Sequence, residues 1–495
     1  MTNRTWLLNR TLSALAPGCW LLVACGAPSG ARDNAPQSQA GATATAGVGG
    51  AVSGAGGSNS AGGLPSSGGA GAGGQLGNAA GALAGGSSGA AGEAQVGGGN
   101  SSGGAGGAGS AGSAGSGGSA GGPSQGWVGT WATAEQLTET ANNPPTPGLT
   151  DNTLRQIVRV SIGGKRLRLR FSNEYGSAPV TLKKVHVAAS TGASAITVGT
   201  DKELAFAGAA SVTIPAKAAV FSDPFDFTLA PLSNVAVSIN FGATASDVTG
   251  HPGSRTTSYL QAGDQVAAAS LASAATADHW YIISGIDVMA DPASRALVVL
   301  GDSITDGRGS TTNGNDRWPD ALATRLQMNP STTGVGVLNK GIGGNTVLIE
   351  GLGPPATARF DVDVLQPSGA RWLIVFEGVN DLGVDMPATT SDLTNAYQAL
   401  VTKAHGAGLL AFGATILPFK GHSYYTSEHE AARTTVNEWI RKPGNFDAVI
   451  DLDAVARDPQ KSDTLISTYD SGDHLHLNPA GYKKLAEAVD LSLFK

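Results

Sequence analysis

The sequence predicts a C-terminal doubly wound α/β domain, preceded by an all-β sandwich or jelly roll and, ahead of both, a disordered Gly-rich linker. Three observations predict it. Residues 26–126 of the 495 are almost wholly Gly, Ala and Ser. From Trp127 to about Ala290, apolar residues recur with period two, the spacing that turns one face of a strand to a core. From Ala296 onward, short apolar runs alternate with helical stripes, the pattern of a parallel sheet with helices on both faces.

The first element is residues 1–25. Arg4 and Arg10 precede a mostly apolar run from Leu12 to Ala24, as in a signal peptide. Pro17 and Gly18 interrupt that run, which is too short to span a bilayer as a stable helix. It ends Leu22-Val23-Ala24-Cys25, which resembles a bacterial lipobox, so Cys25 is expected to become the diacylated N-terminal residue. An ordinary cleaved signal peptide with an incidental Cys25 is the alternative. Cys19 and Cys25 are the only cysteines, which excludes a disulfide framework or a cysteine metal site from the body of the chain. The net charge is −7, and −9 without Arg4 and Arg10. No basic stripe is offered to phosphates, which rules against nucleic acid as a partner. The expected location is therefore extracytoplasmic, at an outer membrane or cell surface, with the lipid anchor as the only membrane contact.

The second element, residues 26–126, has hardly any charge and few large apolar residues to bury, Leu64, Leu76 and Leu83 among them. Such a segment cannot offset its own ordering entropy and is read as a flexible tether. A Gly-rich coil of ~100 residues spans roughly 50–60 Å root-mean-square.

The third element is residues 127–292. Leu167, Leu169 and Phe171 alternate with Arg166, Arg168 and Arg170, and Val235, Val237, Ile239 and Phe241 alternate with Ala236, Ser238 and Asn240. Turn signals such as Gly163-Gly164 and Asn173-Glu174-Tyr175-Gly176 separate these runs, and no helical stripe competes. The arginine row is read as a solvated strand face.

The fourth element is residues 293–495. Ala296–Leu300, Gly336–Asn339, Arg371–Gly378, a run near Leu409–Leu417 and Ala448–Leu452 are five strands. Between them lie helices at Trp318–Leu326, at Leu393, Tyr397, Leu400 and Ala404 with a stop at Gly406, and after a capping box of Ser427 and Glu430. A last helix starts near Pro479. In such a sheet, ligands sit outside the carboxyl ends of the strands.

Four motifs fall at those ends. The first strand runs into Gly301-Asp302-Ser303-Ile304-Thr305-Asp306-Gly307. The second runs into Asn339-Lys340-Gly341-Ile342-Gly343-Gly344-Asn345-Thr346, and the third into Glu377-Gly378-Val379-Asn380-Asp381. Asp473-His474-Leu475-His476 precedes the last helix. In this order the four resemble the signature blocks of the SGNH hydrolases, a branch of the GDSL esterase/lipase family, over about residues 295–495. The resemblance implies a flavodoxin-like, five-stranded parallel sheet and a serine ester hydrolase that forms a covalent acyl-enzyme, without cofactor or metal.

The chemistry explains the residue types. A serine hydroxyl is a poor nucleophile until a base takes its proton. Ser303 is the candidate nucleophile and His476 the candidate base. Asp473, three residues earlier, can accept the other ring N–H and fix the tautomer. No G-x-S-x-G elbow surrounds Ser303. The family pattern implies an oxyanion hole made of the Ser303 and Gly344 N–H groups and the Asn380 side-chain amide, with Gly343 as the alternative to Gly344.

Other readings fail. Gly341-x-Gly343-x-x-Thr346 is one glycine short of a dinucleotide fingerprint. His474 and His476 are too few for zinc, and His474 is read as shaping its loop. Asp302 and Asp306 are given no catalytic role, and Glu377 is expected to accept from loop amides. With Asn315-Asp316-Arg317-Trp318-Pro319 added, the blocks look most like arylesterases and acylhydrolases of polysaccharide-degrading bacteria. The expected substrate is an O-acylated carbohydrate, deacylated by a monomer. The rivals are a lipase, lysophospholipase or acyltransferase on lipid, and a catalytically idle polysaccharide-binding surface protein. Substrate choice is assigned to loops 346–358 and 418–426.

Overall fold

The computed structural model describes residues 126–383 and 390–495. The signal-peptide and Cys25 readings, and the linker reading up to residue 125, lie outside these residues, and Gly126, read as the end of the linker, opens the first strand. Two antiparallel sheets come first. One pairs β1 (Gly126–Ala132) with Ile283–Ala290, then with Gly164–Ser172 and Phe225–Leu229. The other runs Ala275–Ala277, Ser258–Ala262, β2 (Asn152–Arg159), Asn234–Phe241 and Val180–Gly192. Leu167, Leu169 and Phe171 meet Val235, Val237, Ile239 and Phe241 in the core between them, all buried. Period two dictates this, because successive side chains leave opposite faces of a strand.

The arginine row departs from its expected role. Arg166 is exposed, but Arg168 and Arg170 are half-buried. Arg168 donates to Asp287 (2.9 Å) and to Ser368 (2.9 Å), and Arg170 donates to Ser284 (3.1 Å) and Gln366 (3.0 Å). Ser368 and Gln366 belong to the α/β part, so this strand face is a seam rather than a solvated surface.

The α/β part carries five parallel strands: β3 (Arg295–Gly301), β4 (Val335–Gly341), β5 (Ala370–Phe376), β6 (Leu410–Ala414) and β7 (Ala448–Ile450). Their spatial order is β4-β3-β5-β6-β7. The order reverses around β3, which makes its carboxyl end the crevice of the sheet. Helices α1 (Ser303–Asp306) and α2 (Trp318–Met328) lie between β3 and β4, α3 (Thr390–Gly406) between β5 and β6, and α4 (Ser427–Arg441) between β6 and β7, while α5 (Pro479–Ala488) follows β7. The cap of α4 is Thr426, whose hydroxyl accepts from the His429 N–H (3.0 Å). The expected box of Ser427 and Glu430 is thus displaced by one residue, and Glu430 pairs with Arg433 instead.

The described residues belong to one unit with a continuous core. Strand β1 of the sandwich runs beside β4, with Gly129 facing Gly336 so closely that a Cβ on Gly336 would lie 2.1 Å from the Gly129 carbonyl. The Ser161 hydroxyl accepts from Val337 N–H (2.9 Å), and Lys340 donates to the Thr133 carbonyl (2.7 Å).

Candidate active site

Strand β3 ends at Gly301, and Asp302 turns the chain into the single turn of α1 by accepting from the Ile304 N–H (2.8 Å). That turn presents Ser303 at the crevice. Its Oγ lies 2.7 Å from Nε2 of His476. The His476 Nδ1 lies 2.7 Å from Asp473 Oδ2. Asp473 Oδ1 accepts from the N–H groups of His476 (2.9 Å) and Leu475 (3.1 Å), so the acid folds its own turn back beneath the ring. Ser303 and His476 are each 5% exposed.

The electrostatics favour an ionised acid beside a neutral ring. Burial opposes charge on Asp473. The hydrogen bond and charge of His476 and the two N–H groups outweigh burial and hold its carboxyl well below the usual range. Burial lowers the His476 pKa from its ordinary 6.5. Asp473 opposes that shift, and the cations Arg308 and Arg255 reinforce it. Such an array can take a proton from Ser303 and return it to a leaving group.

Around the nucleophile, the Ser303 and Gly344 N–H groups have no acceptor among the described residues. Gly344 has φ +70°, a conformation that glycine adopts without strain, and a Cβ there would lie 2.9 Å from the Leu352 methyl. The buried Asn380 amide donates to the Asn345 carbonyl (2.7 Å), and its oxygen accepts from the Tyr424 hydroxyl (3.1 Å). One amide hydrogen remains for a ligand. Ser303, Asp473, His476, Gly344 and Asn380 thus all stand at the crevice end of the sheet.

Sequence reasoning missed two supports. The first is Arg359, fully buried, which donates to the carbonyls of Gly301 (3.0 Å) and Lys340 (2.7 Å), the side chain of Asn345 (2.8 Å) and the carboxylate of Glu377 (3.0 Å). It ties the first three blocks together. Glu377 therefore meets a guanidinium rather than the expected loop amides. Burial and the neighbouring Asp302 push its pKa well up, and burial raises Asp302 to about 7. Asp381 accepts from Val347 and Leu348 N–H groups and holds the start of loop 346–358.

The second support comes from the sandwich. His251 Nε2 lies 2.9 Å from Asp306 Oδ1 at the end of α1, and the His251 ring stacks on Trp280. A Cβ on Gly253 would overlap Asp306 at 1.8 Å, and Arg255 approaches the same carboxylate at 3.7 Å. Asp306 thus anchors the nucleophile turn to the sandwich. His474, at φ +63°, bonds Asp470 and shapes the loop. Among the described residues, no group of three His, Cys, Asp or Glu could hold a metal ion.

Residues 299–484 match the GDSL-like lipase/acylhydrolase family. No curated protein matches the chain. Among solved structures, a G-D-S-L family protein from Desulfitobacterium hafniense is 25% identical, covering 39% of this chain and 97% of that one (TM-score 0.31). An acetylxylan esterase from Geobacillus stearothermophilus is 22% identical, with 39% and 91% covered (TM-score 0.31). A carbohydrate acetylesterase from Sinorhizobium meliloti is 18% identical, with 39% and 96% covered (TM-score 0.31).

Proposed function

We propose that this chain, whose residues 299–484 match the GDSL-like lipase/acylhydrolase family, is an extracytoplasmic carboxylic ester hydrolase that removes short acyl groups, acetyl first among them, from carbohydrate. Ser303 attacks the ester carbonyl while His476 takes its proton, and Asp473 stabilises the imidazolium. The Ser303, Gly344 and Asn380 donors receive the oxyanion. Alcohol leaves with the proton from His476, and water repeats the sequence on the acyl-enzyme. The observation that carries the hydrolytic reading is the Asp473–His476–Ser303 chain of 2.7 Å contacts.

The pH dependence follows from His476. A base whose pKa is lowered stays neutral, and so competent, to lower pH. The acid limb of kcat/KM is therefore expected to have its midpoint below 6.5, with no further gain above neutrality. Arg308→Gln removes a cation that depresses this pKa, so the midpoint moves up. A pH–rate profile with the midpoint well above 6.5, or a downward move in the variant, defeats the assignment.

The short-acyl reading rests on Leu352. Its side chain packs beside Gly344, 2.9 Å from where a Cβ would stand, and on this reading it limits the length of an acyl group whose oxygen the Gly344 N–H holds. With the purified full-length protein and p-nitrophenyl esters from acetyl to palmitoyl, alongside acetylated xylan, kcat/KM is expected to fall beyond about butyryl. Leu352→Ala should move the optimum to longer chains. An open apolar channel behaves oppositely, because each buried methylene contributes about 0.8 kcal/mol to binding. The exposure of Ile349 (45%) and Leu352 (47%) favours the lipid reading as the second one. A rise through octanoyl or palmitoyl would promote it.

The anchor reading also stands as a proposal, motivated by Leu22-Val23-Ala24-Cys25 and the Gly-rich segment that follows. Mass spectrometry of the mature N-terminus decides it, since an unmodified N-terminus elsewhere than Cys25 excludes it.

A further inference from the structure

Three sandwich side chains have donors or acceptors that nothing in the fold uses. Arg159, Asn234 and Tyr259 make no side-chain hydrogen bond or ion pair among the described residues. The Asn234 Oδ1 is buried without a partner, which ordinarily costs free energy. All three line one cavity of about 210 Å³.

The strand register explains why they converge. In the second sheet Arg159 pairs with Asn234, Ile157 with Ala236 and Arg155 with both Ser238 and Tyr259. With period two, these residues share the face turned away from the sandwich core. Ile157 supplies the apolar floor of the groove and packs against the buried cluster of Ala188, Ile196 and Ala236 beside it. Arg159, Asn234, Tyr259 and Ser190 rise around it. The fourth wall belongs to the α/β part. Asn313 and Asn315 lie on the segment that leaves the nucleophile turn, and Asn313 is pinned to the sandwich by the N–H of Thr257 (2.8 Å). The groove therefore sits on the seam beside loop 251–255, which also reaches Asp306.

A small apolar floor, a tyrosine ring, amides and a guanidinium are the groups that recognise a sugar ring. Its C–H faces lie on apolar surface and the aromatic ring, and its vicinal hydroxyls need planar donor–acceptor pairs. The space far exceeds the roughly 10–15 Å³ that one water requires. We infer that this groove is a second subsite, taking an unacylated sugar unit of the glycan whose acyl group is presented to Ser303. The inference rests on the acyl-carbohydrate reading for its relation to the reaction, but its binding test does not.

The test is calorimetric titration of the full-length Ser303→Ala protein with unacylated hexasaccharides of xylan, mannan and polygalacturonate. At least one is expected to bind. Tyr259→Ala and Arg159→Ala, checked for an unchanged melting temperature, should each weaken it by about tenfold or more. Absence of binding by all three sugars overturns the subsite, as does binding that neither substitution weakens. Acetate release from acetylated xylan by the wild-type protein separates the two proposals. Release without glycan binding discards the subsite alone, whereas glycan binding without release discards the esterase substrate and keeps the subsite.

Discussion

Ser303→Ala is expected to lower kcat by roughly 10⁴–10⁶ while leaving a folded protein. The substitution deletes one oxygen, and the turn that holds it survives. Asp302 still caps the Ile304 N–H, and the Ser303 carbonyl still receives the N–H groups of Gly307 and Arg308 (both 2.9 Å). The local cost is a His476 Nε2 left without its 2.7 Å partner, about 1–3 kcal/mol for a buried group. His476→Ala should cost nearly as much activity, and the double variant little more than either, since nucleophile and base act as a unit. A fluorophosphonate probe is expected to label Ser303 alone in the wild-type protein. The competing nucleophile is Ser310, whose hydroxyl is also buried and has no partner. Labelling there, or activity retained in Ser303→Ala, sinks the assignment.

What could be read from the sequence, and what could not, follows the range of the interactions. Strand β3 was legible as Ala296–Leu300 because a parallel strand buried on both faces is an unbroken apolar run, and it occupies Arg295–Gly301. The candidate residues Ser303, Asn380 and His476 were legible because each sits in a short motif at an element end. The cap of α4 was misread by one position. Thr426 and Ser427 are both good cap residues, and only the backbone conformation, extended at Thr426, distinguishes them. Arg359 was invisible, since an arginine in a short helix reads as solvated and its partners at Gly301, Asn345 and Glu377 are distant in sequence. The same holds for His251 and Asp306, 55 residues apart in the chain. Period two correctly put Arg168 opposite the core, but it carries no information on whether water or a second layer lies beyond.

The contribution of the sandwich to the hydrolase turn has a physical rationale. Helix α1 is a single turn, too short to be stable by its own hydrogen bonds. Its position is set from outside. Asp302 caps its start, the Asn339 side chain donates to the Thr305 carbonyl (2.8 Å), and His251 meets Asp306 at its end. Gly341 brings β4 against the Asp306 backbone so closely that a Cβ would lie 2.3 Å from its nitrogen. A nucleophile held to a fraction of an ångström needs such over-determination, because small misplacements at the reacting atom are costly.

Asn380→Ala is expected to lower kcat by roughly 10²–10³, or about 3–4 kcal/mol of barrier, with little change in KM. The reason lies in when the interaction is made. In the resting site one amide hydrogen is engaged by the Asn345 carbonyl at 2.7 Å and the amide oxygen by Tyr424 at 3.1 Å. These two bonds fix the plane of the amide, so the second hydrogen is preorganised for a negative charge that exists only as the tetrahedral intermediate forms. A neutral ester carbonyl gains little from it, which keeps KM nearly constant. Asn380→Asp should be worse than the alanine variant. The side chain keeps its shape, but an ionised carboxylate would face the developing oxyanion instead of donating to it. Tyr424→Phe removes one of the two orienting bonds without touching the donor and should cost kcat far less than Asn380→Ala. Steady-state kinetics on p-nitrophenyl acetate distinguish the outcomes. If KM rises in Asn380→Ala while kcat holds, the side chain binds ground-state substrate, and the oxyanion must be stabilised by the Ser303 and Gly344 N–H groups without it.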